Sequence, residues 1–440
     1  MPFAALGAPR FATLARDRLA SPLSSSRAAP APPARAMAPM ARADGSAPPK
    51  TVLVAGAGII GTSIAYHLAV NHGIGATLVD KVGPHCAASG KAGGFLALDW
   101  CDGSPLGPLA RASFAMHDAL AETLALESYR RLTCEAVALD PRRAEGAIPP
   151  REPLSKKLLS RVEWADASSV SGSRPMGDER TIAQVHPAQL CDAMLRRAEA
   201  VAGAKVIVGD VSALSRDPAT GACVGLVVDG EVIRADAVVV AMGPWTSRVL
   251  SAAAEIPGAP AVPAVPAVYG QKYHAVLMRP ASGRVLTQAV FFQGLGDPEF
   301  YPRPDGDVYV CAFPDPPGVV AEEPGAVEIR PDAVERLVDV ARSVSSEMAD
   351  ATVSPSPNYD AAGAPGTRGQ ACHLPVTEDG VPVMGRVPGC ANAFVAAGHS
   401  CWGILNAPAS GAAMAELVAE GRVTCVEGFD AFDPARGYQG

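Results

Sequence analysis

The sequence predicts an α/β fold in which a discontinuous nucleotide-binding domain, built on a parallel sheet, carries a second α+β domain with an antiparallel sheet. Three observations support this prediction. A glycine-rich turn near the start of the chain separates an apolar strand pattern from a helical one. A strand, a glycine-bearing loop and a helix follow one another again near the end of the chain. Between these regions, short apolar runs separated by turn residues are typical of antiparallel strands.

The glycine-rich turn lies in "TVLVAGAGIIGTSIAYHLAV", where the apolar run 51–55 leads into helical spacing of apolar residues. In a Rossmann-like unit, Gly56 makes the tight turn and Gly58 lets the backbone approach a pyrophosphate, while Gly61 lets helix and strand pack closely. The free N–H groups and the dipole of the helix N-terminus attract phosphates. This stretch therefore predicts a dinucleotide site.

The next apolar run, at 76–79, ends at Asp80. A carboxylate in this position accepts hydrogen bonds from both hydroxyls of a ribose and repels a 2′-phosphate. We therefore expect a dinucleotide without a 2′-phosphate, which disfavours NADP.

Further elements of the same domain follow in the middle of the chain. Pro187 begins a helical pattern, and the apolar run 205–208 after it predicts a strand. Asp229-Gly230 predicts a hairpin. The strand predicted at 237–241 runs into "AMGPW", and a strand that ends in Ala-x-Gly lets backbone come close to a ligand.

A Pro/Ala-rich segment, residues 253–268, is predicted to be a linker. After it, "KYHAVLMRP", "TQAVFFQ" and "EFYPRPDGDVYVCAF" predict antiparallel strands, the last of them a hairpin about Asp305-Gly306. A helical pattern over 333–349 follows. We expect this region to form a domain that caps the first one.

The C-terminal region returns to the nucleotide-binding domain. The apolar run 393–397 predicts a strand, residues 398–406 a loop, and residues 408–419 a helix that ends at Gly421. The predicted nucleotide-binding domain thus comprises residues 50–115, 181–252 and 366–436, and the substrate or cap domain comprises residues 116–180 and 269–365.

Residues 1–49 differ in composition from everything after them. They are rich in Ala, Pro and Ser, and their arginines far outnumber their aspartates. This composition predicts a transit peptide for a chloroplast or mitochondrion, and a disordered tail without an address is the alternative.

Composition also excludes several classes of function. A net charge of −8 without a long Lys/Arg block argues against nucleic acid or an anionic membrane as partner. No apolar run reaches the ~20 residues that a membrane-spanning helix needs. The 10 cysteines form no C-x-x-C pair, which disfavours a zinc site or a thioredoxin-type redox pair. We therefore expect a soluble protein with a small-molecule substrate and no metal.

In this order, the glycine fingerprint, Asp80, "AMGPW" and the terminal "DGVPVMG" and "GHSCWGILNAP" resemble the FAD-dependent D-amino-acid-oxidase-like family, which includes glycine oxidase and monomeric sarcosine oxidase. The resemblance covers about residues 50–436. Within the family, "CAASGKAGGFLALDWCDG" is similar to a eukaryotic branch. The resemblance implies FAD rather than NAD, because a nicotinamide dehydrogenase would not need the terminal strand, loop and helix that close over the flavin ring.

The motif match implies that Ser89, Lys91 and Gly93 lie along the pyrophosphate and flavin, and that the backbone of Val211 pairs with the adenine. A helix N-terminus near the flavin would stabilise negative charge on the reduced ring. The predicted cofactor-binding residues are Gly56, Gly58, Ile60, Gly61, Asp80, Ser89, Lys91, Gly93, Val211, Ala241, Gly243, Trp245, Cys372, Gly398, His399, Gly403 and Ile404.

Members of this family transfer a hydride from a C–H bond beside nitrogen to the flavin, and the resulting imine hydrolyses. The resemblance therefore implies an FAD-dependent oxidoreductase that oxidises a C–N bond of an amine or amino-acid-like substrate, with oxygen or a protein as electron acceptor. Two alternatives stay open: a flavin-binding assembly or trafficking factor with little or no turnover, and an NAD-linked dehydrogenase.

Glycine-oxidase-like members hold the substrate carboxylate with arginines at positions that this chain fills with Leu374 and with Cys401-Trp402. Neither Leu nor Cys replaces the planar fork of arginine, so a small free amino acid is disfavoured as substrate. The pocket candidates, none of them an assigned catalytic residue, are Lys91, Arg111, Arg303, His373, His399 and Trp402. The alternative interpretations are a solvated residue beside a turn for Arg303, a structural loop residue for His399 and a packed aromatic for Trp402.

Cys372 lies seven residues before Asp379. In monomeric sarcosine oxidase and its relatives, the cysteine that bonds covalently to the flavin has this spacing. One hypothesis is therefore a covalent flavin through Cys372, and the alternative is that Cys372 fills a core as a small apolar residue.

Overall fold

The computed structural model describes residues 43, 45–139, 162–166, 170–254, 264–355 and 368–436. Most of the predicted leader, at 1–42 and 44, and most of the predicted linker, at 255–263, lie outside these ranges. The described residues belong to one compact unit. Within the described ranges, no helix has both the length and the apolar character to cross a membrane.

The strands are numbered in chain order. They are β1 Val52–Ala55, β2 Ala76–Asp80, β3 Phe95–Ala97, β4 Arg130–Arg131, β5 Thr133–Leu139, β6 Val170–Gly177, β7 Ile182–Gln184, β8 Lys205–Val208, β9 Val211–Arg216, β10 Cys223–Val228, β11 Glu231–Arg234, β12 Ala237–Val240, β13 Tyr269–Arg279, β14 Gln288–Gln293, β15 Glu299–Pro302, β16 Val308–Ala312, β17 Pro317–Gly318, β18 Thr352–Val353, β19 Gln370–Val376, β20 Val383–Arg386 and β21 Ala393–Ala397.

The α-helices are numbered in the same way. They are α1 Ile59–His72, α2 Ala88–Lys91, α3 Gly107–Thr123, α4 Pro187–Ala202, α5 Thr246–Ala254, α6 Pro331–Val344, α7 Ser346–Ala349 and α8 Gly403–Glu420.

A six-stranded sheet forms the nucleotide-binding half of the protein. Its strand order is β20-β21-β12-β1-β2-β8, and every pair is parallel except the edge pair β20 and β21. All four residues of β1 are buried, as expected for a central strand covered on both faces. The α/β fold predicted from the sequence is therefore confirmed, and this sheet draws strands from separate parts of the chain.

The start of the last helix was predicted wrongly. Residues 408–419 were expected to form it, but α8 begins at Gly403, and Pro408 lies inside it. Proline lacks an N–H, which leaves the carbonyl of Ile404 without its helical donor. His117 of α3 compensates, because its Nε2–H donates to Ile404 O (3.0 Å) and to Leu405 O (3.1 Å). A contact from a distant helix thus lets proline remain in the helix.

Buried histidines predict that the protein loses stability in acid. Burial lowers the pKa of His67, His117 and His186 to about 4 and that of His399 to about 3. The unfolded chain binds protons at these residues below about pH 6.5, whereas the folded chain does not, so the folded state loses stability as pH falls from about 6.5 toward 4.

We therefore expect a lower thermal midpoint at pH 5 than at pH 7.5, at a matched scan rate. His117→Gln keeps a side-chain N–H for Ile404 O but does not titrate, so this variant should show a smaller difference between the two pH values. Equal midpoints for the unmodified protein at both pH values would contradict the prediction.

The second large sheet has the order β17-β13-β16-β15-β14-β5-β6, and β18 and β19 also pair with β13. It is mostly antiparallel, but β14 and β5 run parallel. One face packs on α6 and buries Val290, Phe300 and Val310. The opposite face, which includes Tyr301 and Cys311, belongs to a separate buried cluster that also contacts Trp402. The predicted second sheet is therefore present, with one face turned toward the nucleotide-binding half.

Several local predictions can be compared with the structure. Hairpins form at Asp229-Gly230 and about Asp305-Gly306, and the predicted helix at 333–349 is broken at Ser345 into α6 and α7. Strand β19 lies in the segment 366–436, assigned above to the nucleotide-binding domain, yet it pairs with β13 of the second sheet. Residue 366 therefore does not mark the point at which the chain passes from the second sheet to the six-stranded sheet.

Candidate FAD site and the adjoining aromatic face

A pocket runs along the carboxyl ends of β1, β2, β12 and β21, where open α/β sheets bind their ligands. Its empty volume, including the space at its mouth, is about 1040 Å³.

The glycine fingerprint forms one wall of this pocket. Gly56 has a φ of +99°, and a Cβ there would lie 2.4 Å from Ala241 O, so only glycine fits. Gly58 lines the pocket in extended backbone just before α1. Gly61 does not line it, and a Cβ there would lie 2.1 Å from Gly56 O. Gly61 instead lets α1 pack against the turn, as the fingerprint predicts.

Asp80 and Ser89 place polar oxygens at the same wall. Asp80 Oδ2 accepts a hydrogen bond from the Ala57 N–H (2.9 Å), and its Oδ1 accepts one from the Gly83 N–H (3.0 Å). Ser89 Oγ accepts a bond from the Ile59 N–H (2.9 Å) at the first residue of α1. The first turn of α1 has no acidic residue, so its positive end faces the pocket.

The N-terminus of α8 lies at another part of the pocket. Gly403 and Ile404 line it beside Ala397, the last residue of β21, and the first turn of α8 has no acidic residue. His399 also lines the pocket, and its Nε2 lies 3.0 Å from Ser410 Oγ. Burial lowers the pKa of His399 to about 3, so the imidazole is neutral.

Residues 319–325, which we call the cover loop, close over the pocket from the second half of the chain. Trp245 Nε1–H donates to Ala321 O (2.8 Å), and Lys81 Nζ pairs with Glu323 Oε1 (2.7 Å). Both Lys81 and Trp245 line the pocket. The cover loop is therefore held directly by the pocket walls.

Most of the predicted cofactor-binding residues line this pocket. They are Gly56, Gly58, Ile60, Asp80, Ser89, Val211, Ala241, Gly243, Trp245, His399, Gly403 and Ile404. An elongated pocket with two helix N-termini, a glycine wall and a carboxylate fits a dinucleotide such as FAD.

The other predicted cofactor residues do not line the pocket. Lys91 Nζ donates to Ala371 O (3.1 Å), and a Cβ on Gly93 would lie 2.2 Å from the Tyr301 ring. A Cβ on Gly398 would lie 2.6 Å from Thr377. Cys372 is buried, and burial raises its pKa to about 11 although Lys91 opposes this shift.

Most of the predicted substrate-binding candidates also make their contacts away from the pocket. Arg303 was interpreted above as a pocket residue or a solvated one, but it is 4% exposed and its Nη2–H donates to Ala92 O (3.1 Å). His373 Nε2 accepts a bond from the Ala321 N–H (3.3 Å) in the cover loop. Arg111 pairs with Asp102 on the exposed surface. None of these three lines the pocket.

A cluster of aromatic side chains adjoins the pocket, and only Trp402 among them was a candidate from the sequence. We call this cluster the aromatic face; it joins Phe291 and Tyr301 of the second sheet to Phe95, Trp100 and Trp402. Trp402 lies between the pocket-lining Cys401 and Gly403, and Gly93, which contacts Tyr301, follows the pocket-lining Ala92.

Glu299 lies among these rings, and its carboxylate Oε2 accepts a hydrogen bond from the Tyr301 hydroxyl. In the sequence, "EFYP" shows only an acid two residues before a tyrosine in a predicted strand. Because side chains two residues apart in a strand point to the same face, this spacing is the one indication in the sequence that Glu299 and Tyr301 share a face.

Comparison with known proteins agrees with this geometry. The family model "FAD dependent oxidoreductase" (DAO) matches residues 51–417. The Schizosaccharomyces pombe protein named "Putative oxidoreductase C1F5.03c" is 27% identical over 415 residues, which cover 88% of this chain and 98% of that protein.

Two solved structures show the same fold. Glycine oxidase from Geobacillus kaustophilus matches with a TM-score of 0.69 and 23% identity, over 88% of this chain and 98% of that one. L-proline dehydrogenase from P. horikoshii matches with a TM-score of 0.69 and 18% identity, over 89% and 98%. The family model spans most of the sequence, and the fold and the motifs agree with it. The chain belongs to the DAO family of FAD-dependent oxidoreductases.

Proposed function

We propose that this FAD-dependent oxidoreductase oxidises a C–N bond of an amine or amino-acid-like substrate by hydride transfer to the flavin. The observation that carries the proposal is the position of the aromatic face, which adjoins the pocket where Cys401 and Gly403 line it. Glycine oxidase and L-proline dehydrogenase share the fold, and both are named for substrates with a C–H bond beside nitrogen.

FAD, when bound, supplies the electron acceptor, so the protein itself has to bind, orient and shield the substrate. His399 is neutral and bonded to Ser410, which suits a residue that shapes the loop before α8 rather than one that moves a proton.

The test is anaerobic reduction of the bound flavin, followed by its visible absorbance. We expect bleaching by a panel of primary and secondary amines and none by NADH. A flavin that no amine reduces, found in a stable complex with a partner protein, would overturn the proposal in favour of an assembly or trafficking factor. Tight binding of NAD(H) in place of FAD would contradict the family assignment itself.

We expect FAD to be held without a covalent bond. Attack on the flavin requires a thiolate, and a pKa raised to about 11 keeps the Cys372 thiol protonated at neutral pH. After acid precipitation of purified protein, the yellow colour should stay in the supernatant. Colour retained in the pellet, and released in Cys372→Ala, would instead establish the covalent link that the spacing to Asp379 suggests.

A further inference from the structure

We propose that the substrate is a cationic amine without a carboxylate, bound between Glu299 and the aromatic face beside Cys401. This inference rests on the proposed function, because it identifies the substrate class of the same site. It depends on three features of the described residues: a carboxyl that none of their cations pairs with, a set of rings around it, and nearby cations that already have partners.

The first feature is the environment of Glu299. Strand register places it directly opposite Phe291 of β14 and Cys311 of β16. Its Oε2 accepts bonds from the Tyr301 hydroxyl and from Cys311 Sγ (3.7 Å), and no donor among the described residues reaches Oε1.

No Lys, Arg or His in the described part of the chain pairs with Glu299, and burial raises the pKa of its carboxyl. A half-buried carboxylate without a cation loses part of its hydration without gaining an ion pair, and a cationic ligand offsets that cost.

The second feature is the aromatic face. The Tyr301 ring stacks on Phe95 with centroids 5.2 Å apart, and Phe291 lies 5.6 Å from Tyr301. Trp100 lies 5.1 Å from Phe291 and 6.3 Å from Trp402. Phe95, Trp100, Phe291 and Trp402 remain partly exposed, so their surfaces are available to a ligand. Aromatic rings attract ammonium groups through their negative faces.

The third feature is that the nearby cations already have partners. Lys91 Nζ donates to Ala371 O, and Arg303 donates to Ala92 O. Leu374 and Cys401 line the pocket, and they occupy the positions at which the resemblance to glycine-oxidase-like members implies arginines. A carboxylate brought into this site would lose its hydration without gaining an ion pair, so the site selects against amino acids.

The experiment measures ligand binding to the FAD-loaded full-length protein and does not depend on turnover. Benzyltrimethylammonium is the probe because it is a permanent cation that carries an aromatic ring. 3-Phenylpropionate is its anionic counterpart and benzyl alcohol its neutral one. Binding is followed by the shift of the flavin visible spectrum and by tryptophan fluorescence, to which Trp100 and Trp402 contribute together with Trp164 and Trp245.

We expect the cation to bind about tenfold or more tightly than 3-phenylpropionate, which corresponds to ~1.4 kcal/mol. Glu299→Gln should weaken binding of the cation by a similar factor at unchanged FAD content, and should leave benzyl alcohol binding unchanged. Glu231→Gln is the matched control, since Glu231 is an exposed acid in β11, away from the pocket. Phe291→Leu provides a second test and should weaken the cation more than the alcohol.

Tighter binding of 3-phenylpropionate than of the cation, or equal effects of Glu299→Gln and Glu231→Gln, would overturn the inference. The inference and the proposed function fail separately. If the cation binds through Glu299 but no amine bleaches the flavin, the function is wrong and the cation site stands. If glycine or proline bleaches the flavin and the cation does not bind, the oxidation stands and the substrate class is wrong.

Discussion

Gly58→Val is expected to yield a folded protein that has lost its FAD. Gly58 lines the pocket before α1, and its backbone, with a φ of −71° and a ψ of −178°, is acceptable for valine. A Cβ there would meet only the movable Ser89 Oγ, at 3.0 Å. The valine side chain would instead fill the space where the pyrophosphate approaches the backbone. We expect the Kd for FAD to rise by about 100-fold or more, roughly 2.8 kcal/mol.

Flavin absorbance per protein would measure the loss of FAD, and circular dichroism would show whether the variant is folded. Gly172→Val is a matched control, because Gly172 lies in β6, a Cβ there would have no atom within 4 Å, and its φ is not in the left-handed region. A Gly58→Val protein that purifies with a full complement of FAD would show that the fingerprint does not hold the pyrophosphate.

Gly411→Ala is expected to destabilise the protein even though alanine favours helices over glycine by about 1 kcal/mol. Gly411 lies in α8 where this helix crosses α1. A Cβ there would lie 2.1 Å from Ser63 Oγ and 2.6 Å from the Ser63 backbone carbon. Because backbone cannot move aside cheaply, α8 would shift away from α1, at a cost of about 1–3 kcal/mol or more.

Both helices present their N-termini to the FAD pocket, so the same variant should also retain less flavin. The thermal midpoint measured with saturating FAD separates the packing effect from loss of cofactor. Gly172→Ala, at the open strand position, should leave the midpoint within experimental error. An unchanged or higher midpoint for Gly411→Ala would mean that the two helices are not in close contact.

Local sequence patterns predicted those helices, strands and turns whose structure depends on residues close together in the chain. The strand at Lys205–Val208, the helix that begins at Pro187 and the turn at Asp229-Gly230 all follow from periodicity and turn chemistry. The glycine fingerprint also gave the position of the pocket, because its geometry is set within about thirty residues.

The remaining features depend on contacts between residues far apart in the chain. Pro408 was placed at a helix start because nothing near it reveals that His117 would supply the missing donor. The burial of Arg303 depends on the carbonyl of Ala92, and the surroundings of Glu299 depend on the register of β14 and β16. Sequence periodicity gives the face of a strand but not the element that covers it.

The cover loop has a kinetic consequence for the cofactor. If FAD leaves the pocket past the cover loop, the hydrogen bond between Trp245 and Ala321 and the ion pair between Lys81 and Glu323 have to break first. Dissociation would therefore be governed by the rate at which residues 319–325 open, rather than by the strength of the phosphate contacts alone. Since Lys81 and Glu323 are partly solvated, salt would accelerate opening of the cover loop. The residence time of FAD would then shorten while the contacts to the nucleotide in the closed state stayed the same.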